Sequence, residues 1–157
     1  CLFEFVYLAR PDINAAMHVH GEVGMALASM EGGLKFFNQE SMRLYGRVAY
    51  HDWEGVSDVE ERESIARDLG QKDIMILRNH GLLTCGPSVQ HAALDLGTLH
   101  RLGEAQLRLM ASGAKIIEVS RELCEKTVAT YKASQQKPVE WDAVLRMLDR
   151  HDKSYRN

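Results

Sequence analysis

Two histidines, His18 and His20, lie two residues apart in the segment AAMHVHG, residues 15–21. Alternate side chains of a β-strand project from the same face, so a strand here would present both imidazoles to one ion. Imidazole nitrogen is a common ligand of zinc and of other divalent transition metals. A pair of this kind is also typical of hydrogen-bonded structural histidines, so a metal-site hypothesis needs a third ligand.

The candidate third ligand is His80, in the segment RNHGLL, residues 78–83. The polar residues of this segment separate two apolar stretches of the chain. Its glycine allows the backbone to turn between them. Catalytic zinc sites commonly have three protein ligands and keep one position for water or substrate. Three imidazoles suit Zn, Fe, Co or Ni, and an added carboxylate would also suit Mn. We therefore predict a divalent-metal site formed by His18, His20 and His80. A purely structural metal with a fourth protein ligand is an alternative.

Other polar residues near these motifs have simpler interpretations. Glu22 falls in the first turn of a predicted helix, where a negative charge stabilises the helix dipole; a role as ligand or base is its alternative. Glu4 is interpreted as an exposed helix residue, with a place near the site as its alternative. The remaining histidines are interpreted as structural or solvated: His51, His91, His100 and His151. Of these, His91 is the one that would become a ligand candidate if it faced the metal.

The elements that must position these residues follow from periodicity and turn signals. Strands alternate with helices over the first two-thirds of the chain, and helices dominate the rest, which indicates an α/β fold with helices on the faces of a layered sheet. A capping box, Ser57 to Glu60, predicts the start of one helix. Predicted helices cover residues 2–10, 21–33, 57–69, 88–113, 119–134 and 139–151, with a short helix or turn at 39–46. Predicted strands cover residues 13–20 and 47–53. Two more lie within residues 73–86, separated by the polar residues 78–81.

Whole-chain properties exclude several function classes. The chain has 157 residues, fits a single domain and carries a net charge of −3. It has no basic surface pattern, so we expect no nucleic-acid partner. Its three cysteines form no C-x-x-C motif, which favours a reducing, cytoplasmic setting. No apolar stretch approaches the roughly 18 residues of a membrane span, so we expect no membrane partner. The chain begins at Cys1 within an apparent core segment, and we expect its N-terminal portion to be missing.

Four sequence blocks resemble the class II aldolase/adducin head-domain family, in its bacterial adducin-like branch. The blocks are ARPDINAAMHVHG, RLYGRVAYHDWEG, ILRNHGLLTCG and WDAVLRMLDRHD. They occur in the family's order, and the similarity runs from about residue 2 to about residue 152. The resemblance implies one domain over residues 1–157 with a three-layer α/β/α fold and a central, mostly antiparallel mixed sheet. It also implies a homo-oligomer, usually a tetramer. The family's metal ligands correspond to His18, His20 and His80, and the implied metal is zinc, with Mn, Fe or Co as alternatives.

The resemblance further implies an activity. It is that of a lyase or epimerase of carbohydrate metabolism, acting on a small hydroxy-carbonyl substrate, sugar or sugar-phosphate-like, through a metal-stabilised enediolate. The family's essential glutamate and phosphate-binding loops correspond to positions upstream of Cys1, so the catalytic base is unassigned. Gln39 occupies the position where some aldolases have a catalytic tyrosine. We predict no organic cofactor. The alternative function is a catalytically silent, adducin-like oligomerising or scaffolding domain.

Overall fold

The computed structural model describes residues 2–55, 59–134 and 139–156. Within these ranges the chain forms seven α-helices and four β-strands. The helices are α1 Leu2–Ala9, α2 Glu22–Ala28, α3 Gln39–Met42, α4 Val59–Leu69, α5 Val89–Ala111, α6 Arg121–Ser134 and α7 Val139–His151. The strands are β1 Ala15–Val19, β2 Val48–His51, β3 Ile74–Leu77 and β4 Gly81–Gly86, and a 3-10 turn covers Ser154–Arg156.

The four strands form one mixed sheet in the order β1-β4-β3-β2. β4 pairs antiparallel with both β1 and β3, and β2 pairs parallel with β3. The register places His18 opposite Leu83, and His51 opposite Leu77. The C-terminal end of β1 therefore lies beside the turn between β3 and β4.

Helices cover both faces of this sheet. On one face, α2 and α5 pack on a buried cluster that includes Leu27, Leu82 and Leu99. On the other face, α1 and α4 pack on a second cluster that includes Val6, Met75 and Leu83. Side chains from alternate strand positions enter the two clusters, as expected for a sheet buried on both sides. The predicted three-layer α/β/α fold with a mostly antiparallel mixed sheet is confirmed.

The individual elements agree closely with the sequence predictions. The predicted strand at 47–53 is shorter in the structure, ending at His51, and the polar interruption at 78–81 is a turn between two antiparallel strands. Ser88 begins α5 as predicted, since its side chain accepts a hydrogen bond from the backbone N–H of His91. Ser57 of the predicted capping box lies outside the described residues. Among the described helices, none is both long and apolar enough to cross a membrane.

Candidate metal centre

The three histidines predicted as ligands converge at one end of the sheet. His18 lies on β1, His20 directly follows it, and His80 lies in the β3–β4 turn. The Nε2 atoms of His18 and His80 are 3.3 Å apart, and those of His18 and His20 are 2.7 Å apart. Each ring offers one nitrogen to a common point, and all three nitrogens lie within 4.8 Å of one another. Among the described residues, this is the cluster whose side chains are placed to hold a metal ion.

The orientation of the His18 ring is set by the backbone of β4. Its Nδ1 lies 2.9 Å from the carbonyl oxygen of Leu82. A carbonyl oxygen only accepts hydrogen bonds, so Nδ1 carries the proton and donates it, and Nε2 of the neutral ring has a free lone pair. A backbone carbonyl on the outer nitrogen is the usual arrangement for a metal-binding histidine. His18 is therefore held in the tautomer that a metal requires.

Gly81 provides the space into which the imidazoles fit. A Cβ atom at this position would lie 2.5 Å from the carbonyl oxygen of Val19 and 2.9 Å from Cδ2 of His20. It would also lie 3.4 Å from Cε1 of His18. Asn79, the residue before His80, adopts a positive φ of 57°, a conformation that asparagine tolerates better than most residues. The asparagine and glycine that flank His80 thus allow the turn to bring it against β1.

The dimensions of the cluster fit a divalent transition metal. Two imidazole nitrogens bound tetrahedrally at about 2.05 Å from a zinc ion would be separated by about 3.3 Å. The His18–His80 separation of 3.3 Å has this value, whereas the His18–His20 separation of 2.7 Å is shorter. The His20 side chain is exposed and directly follows β1.

Burial keeps two of these imidazoles in the neutral, metal-binding form. Burial lowers the pKa of His18, and the nearby His80 and His20 add to this effect, while the hydrogen bond to Leu82 opposes it. Burial also lowers the pKa of His80, with further contributions from His20 and His51. Because only the neutral ring binds a metal, both shifts favour metal binding near neutral pH.

We expect the metal-free protein to lose stability as the pH falls below 6.5, the usual pKa of histidine. The folded-state pKa values of His18 and His80 are lowered, so in this range the unfolded chain binds more protons than the folded chain. The free energy of unfolding therefore decreases as the pH falls through this range. Urea unfolding of the metal-free protein at several pH values measures this slope.

The control for this prediction is a double variant, His18→Asn with His80→Asn. It lacks both groups with lowered pKa values and should lose less stability over the same pH interval. Equal slopes for the wild type and the double variant would contradict the assignment of the acid sensitivity to these two histidines.

The segment after β2 lies beside the cluster, a contact that was not predicted from the sequence. The ring centroids of Trp53 and His80 are 5.1 Å apart, with the rings nearly perpendicular. Trp53 remains 44% exposed, so its ring lies at the rim of the site. His51, which ends β2, is 3% exposed, and its Nδ1 lies 2.8 Å from Oδ2 of Asp68 on α4. The pattern VAYH shows apolar residues before His51, the one local sign that it is buried.

The other residues considered from the sequence lie away from the three imidazoles or do not contribute to the cluster. His91 is exposed and contacts Ser88 through its Nδ1, so it does not face the candidate metal centre. Glu22 is exposed in the first turn of α2. The side chain of Gln39 donates a hydrogen bond to the hydroxyl of Tyr131. Three further residues are exposed on helices: Glu4, His100 and His151.

Comparisons with known proteins agree on one family. Residues 1–107 match the family model described as Class II Aldolase and Adducin N-terminal domain. A Pseudomonas aeruginosa protein, named among the class 2 aldolases, is 32% identical over 158 residues, which cover 96% of this chain and 61% of that protein. Alpha-adducin of Rattus norvegicus is 34% identical over 168 residues, which cover 94% of this chain and 22% of the adducin.

Two solved structures share the fold. An aldolase II superfamily protein from Pseudomonas syringae has a TM-score of 0.91 and 37% identity, covering 99% of this chain and 64% of that protein. L-fuculose 1-phosphate aldolase from Glaciozyma antarctica PI12 has a TM-score of 0.69 and 30% identity, covering 82% of this chain and 49% of that enzyme. The chain thus spans less than two-thirds of the length of these relatives.

Proposed function

Because the chain belongs to the class II aldolase and adducin N-terminal domain family, we propose that it is a metal-dependent enzyme of the aldolase or epimerase type. The proposed substrate is a small hydroxy-carbonyl compound, a sugar or a sugar phosphate. The observation that carries this proposal is the convergence of His18, His20 and His80. A domain that acts only as a scaffold has no need of three imidazoles directed at one point.

The proposed ligands are these three imidazoles, and zinc is the proposed metal because catalytic zinc commonly has three protein ligands with nitrogen donors. When bound, such an ion polarises a substrate carbonyl and stabilises the negative charge that develops beside it. The protein's own residues orient the site. The carbonyl of Leu82 holds the His18 ring, Gly81 leaves room for it, and the Trp53 ring lies edge-on to His80.

The family also supports a proposal about assembly. Class II aldolases are commonly oligomeric, and we propose a homotetramer in the cytoplasm. Light scattering on the purified protein measures the mass of the assembly and therefore the number of chains in it. The scaffolding function that the relationship to adducins suggests would also allow self-association, so the oligomeric state does not separate the two functions.

Deuterium exchange separates the enzyme from the scaffold. We expect the zinc-loaded protein to catalyse exchange of the hydrogen next to the carbonyl group in dihydroxyacetone phosphate or L-fuculose 1-phosphate dissolved in D2O. The first compound is a phosphorylated hydroxy-ketone. The second appears in the name of a structurally similar enzyme, L-fuculose 1-phosphate aldolase. Proton NMR follows the loss of signal, and treatment with a chelator should reduce the rate at least about a hundredfold, to the background value.

The variants define what a negative result means. His18→Ala should behave like the chelated protein, whereas His100→Ala, which changes an exposed histidine on α5, should retain the wild-type rate. Exchange at the background rate by the full-length protein, holding one zinc ion per chain, would contradict the proposed activity and favour the scaffolding function.

A further inference from the structure

One nitrogen atom of His51 is buried without a hydrogen-bond partner. Within residues 2–55, 59–134 and 139–156, Nε2 of His51 is the buried side-chain nitrogen or oxygen atom left in this state. The residue is 3% exposed, and its other ring nitrogen is paired with Asp68. A buried polar atom without a partner destabilises a fold, so such an atom needs an explanation.

The Asp68 contact determines which hydrogen-bonding role this nitrogen has. Burial raises the pKa of Asp68, but hydrogen bonds from His51 and Arg67 outweigh this effect, so the net pKa is lowered and the carboxylate is ionised. An ionised carboxylate only accepts, so Nδ1 of His51 carries the proton and donates it. In the neutral ring, Nε2 then has a free lone pair and can accept a hydrogen bond from a hydroxyl group.

The sheet places His51 on the same face as the three imidazoles. His51 pairs with Leu77, and Leu77 pairs with Gly81. Directly paired residues project from the same face of a sheet. The Cβ position of Gly81 is in contact with the rings of His18 and His20. The paired residues His51, Leu77 and Gly81 therefore form a row across the sheet that leads from His51 to the candidate metal centre.

A backbone hydrogen bond also places His51 close to the turn that carries His80. The carbonyl oxygen of His51 accepts a hydrogen bond of 2.8 Å from the backbone N–H of Arg78, the first residue after β3.

The residues after His51 are held by polar contacts that leave its Nε2 free. Asp52 forms an ion pair of 3.1 Å with Arg78, and Glu54 accepts a hydrogen bond of 2.6 Å from the hydroxyl of Ser64 on α4. These contacts fix the segment between the β3–β4 turn and α4. His51 is therefore followed by residues that polar contacts hold in place, as expected for a binding residue.

We propose that His51 is a hydroxyl-recognition residue, whose Nε2 accepts a hydrogen bond from a hydroxyl of the substrate bound at the three-histidine cluster. This inference rests on the proposed function and narrows its substrate class. Strands are spaced about 4.8 Å apart, so the row from β2 to β1 extends about 14 Å between backbones. The recognised substrate therefore has a polyhydroxylated chain that extends beyond the hydroxy-carbonyl group itself.

Pairs of hydroxamates test this role, because a hydroxamate chelates a metal ion in the manner of a hydroxy-carbonyl group. The hydroxamates of glycolic, glyceric and erythronic acid are each compared with the unhydroxylated partner, made from acetic, propionic or butyric acid. Calorimetry on the zinc-loaded protein measures each affinity. We expect at least one hydroxylated member to bind about tenfold more tightly than its partner, the effect of one hydrogen bond.

The matched variant is His51→Phe, which keeps an aromatic ring but has no ring nitrogen. It should abolish the affinity difference within the pair and leave both the zinc content and the affinity for the unhydroxylated hydroxamate unchanged. A second measurement uses the wild type alone. In protein with 15N-labelled histidine, the Nε2 resonance of His51 should shift with the hydroxylated hydroxamate and not with its partner.

The outcomes distinguish this inference from the function on which it rests. If no hydroxamate binds the zinc-treated protein, the proposed function fails. If hydroxamates bind, but the His51 resonance stays unchanged for every pair and His51→Phe preserves the affinity differences, the metal site stands and the role of His51 is overturned.

Discussion

Purified His18→Ala protein is expected to contain almost no bound metal, whereas the wild type contains close to one ion per chain. The imidazole of His18 is the central member of the cluster, with its Nε2 within 3.3 Å of the corresponding atoms of both other rings. If a binding free energy of about 10 kcal/mol is shared among three ligands, each contributes about 3 kcal/mol. Losing one then weakens binding roughly two-hundredfold. Inductively coupled plasma mass spectrometry of proteins purified without chelator measures the metal content.

Two further variants make this measurement specific. His80→Ala removes the proposed ligand in the β3–β4 turn and should reduce the metal content as strongly as His18→Ala. His100→Ala removes an exposed imidazole on α5 and should leave the metal content unchanged. A metal-free wild type would contradict the ligand assignment, and so would a wild-type metal content in His18→Ala.

Gly81→Ala is expected to destabilise the protein by about 3 kcal/mol, a cost typical of severe overpacking in a close-packed core. The added Cβ would lie 2.5 Å from the carbonyl oxygen of Val19, a backbone atom that cannot move without disturbing the β1–β4 pairing. The same atom would displace the ring of His20. We therefore expect the melting temperature to fall by roughly 10 °C and the metal affinity to decrease as well. Differential scanning calorimetry of the metal-free and zinc-loaded proteins measures both effects.

Gly32→Ala is the matched control for this substitution. A Cβ at Gly32 would have nothing within 4 Å, and this residue has no positive φ. The control should stay within about 0.5 kcal/mol of the wild type. A Gly81→Ala protein as stable as this control would show that the close approach of β4 to β1 is not required.

Much of the fold was predictable because the relevant signals are local. The apolar segment ending at Leu77, the polar turn that contains His80 and the second apolar segment together predict two strands with a tight connection, and the structure has them. The small apolar residues before His18 predict a buried strand in the same way. Such patterns depend on residues a few positions apart, so they can be identified without tertiary information.

The three histidines of the candidate site could be selected from the sequence, but their surroundings could not. The H-x-H spacing and the N-H-G turn identify His18, His20 and His80, and the resemblance to a known family supported the choice. His51 was interpreted as a structural or solvated residue, and the structure shows that it is buried and that its partner is Asp68 on α4. No spacing rule connects residues 51 and 68, because the contact depends on how α4 packs against β2.

The sequence by itself determined the order of the elements, the strand face shared by His18 and His20, and the turn chemistry around His80. Only the tertiary structure decided that β4 lies between β1 and β3, which brings His80 against His18 from 62 residues away. It also decided that Nε2 of His51 is buried without a partner in the described part of the chain. The physical reason is that periodicity records which side of an element is buried, whereas the pairing of distant strands depends on the burial of two apolar clusters at once.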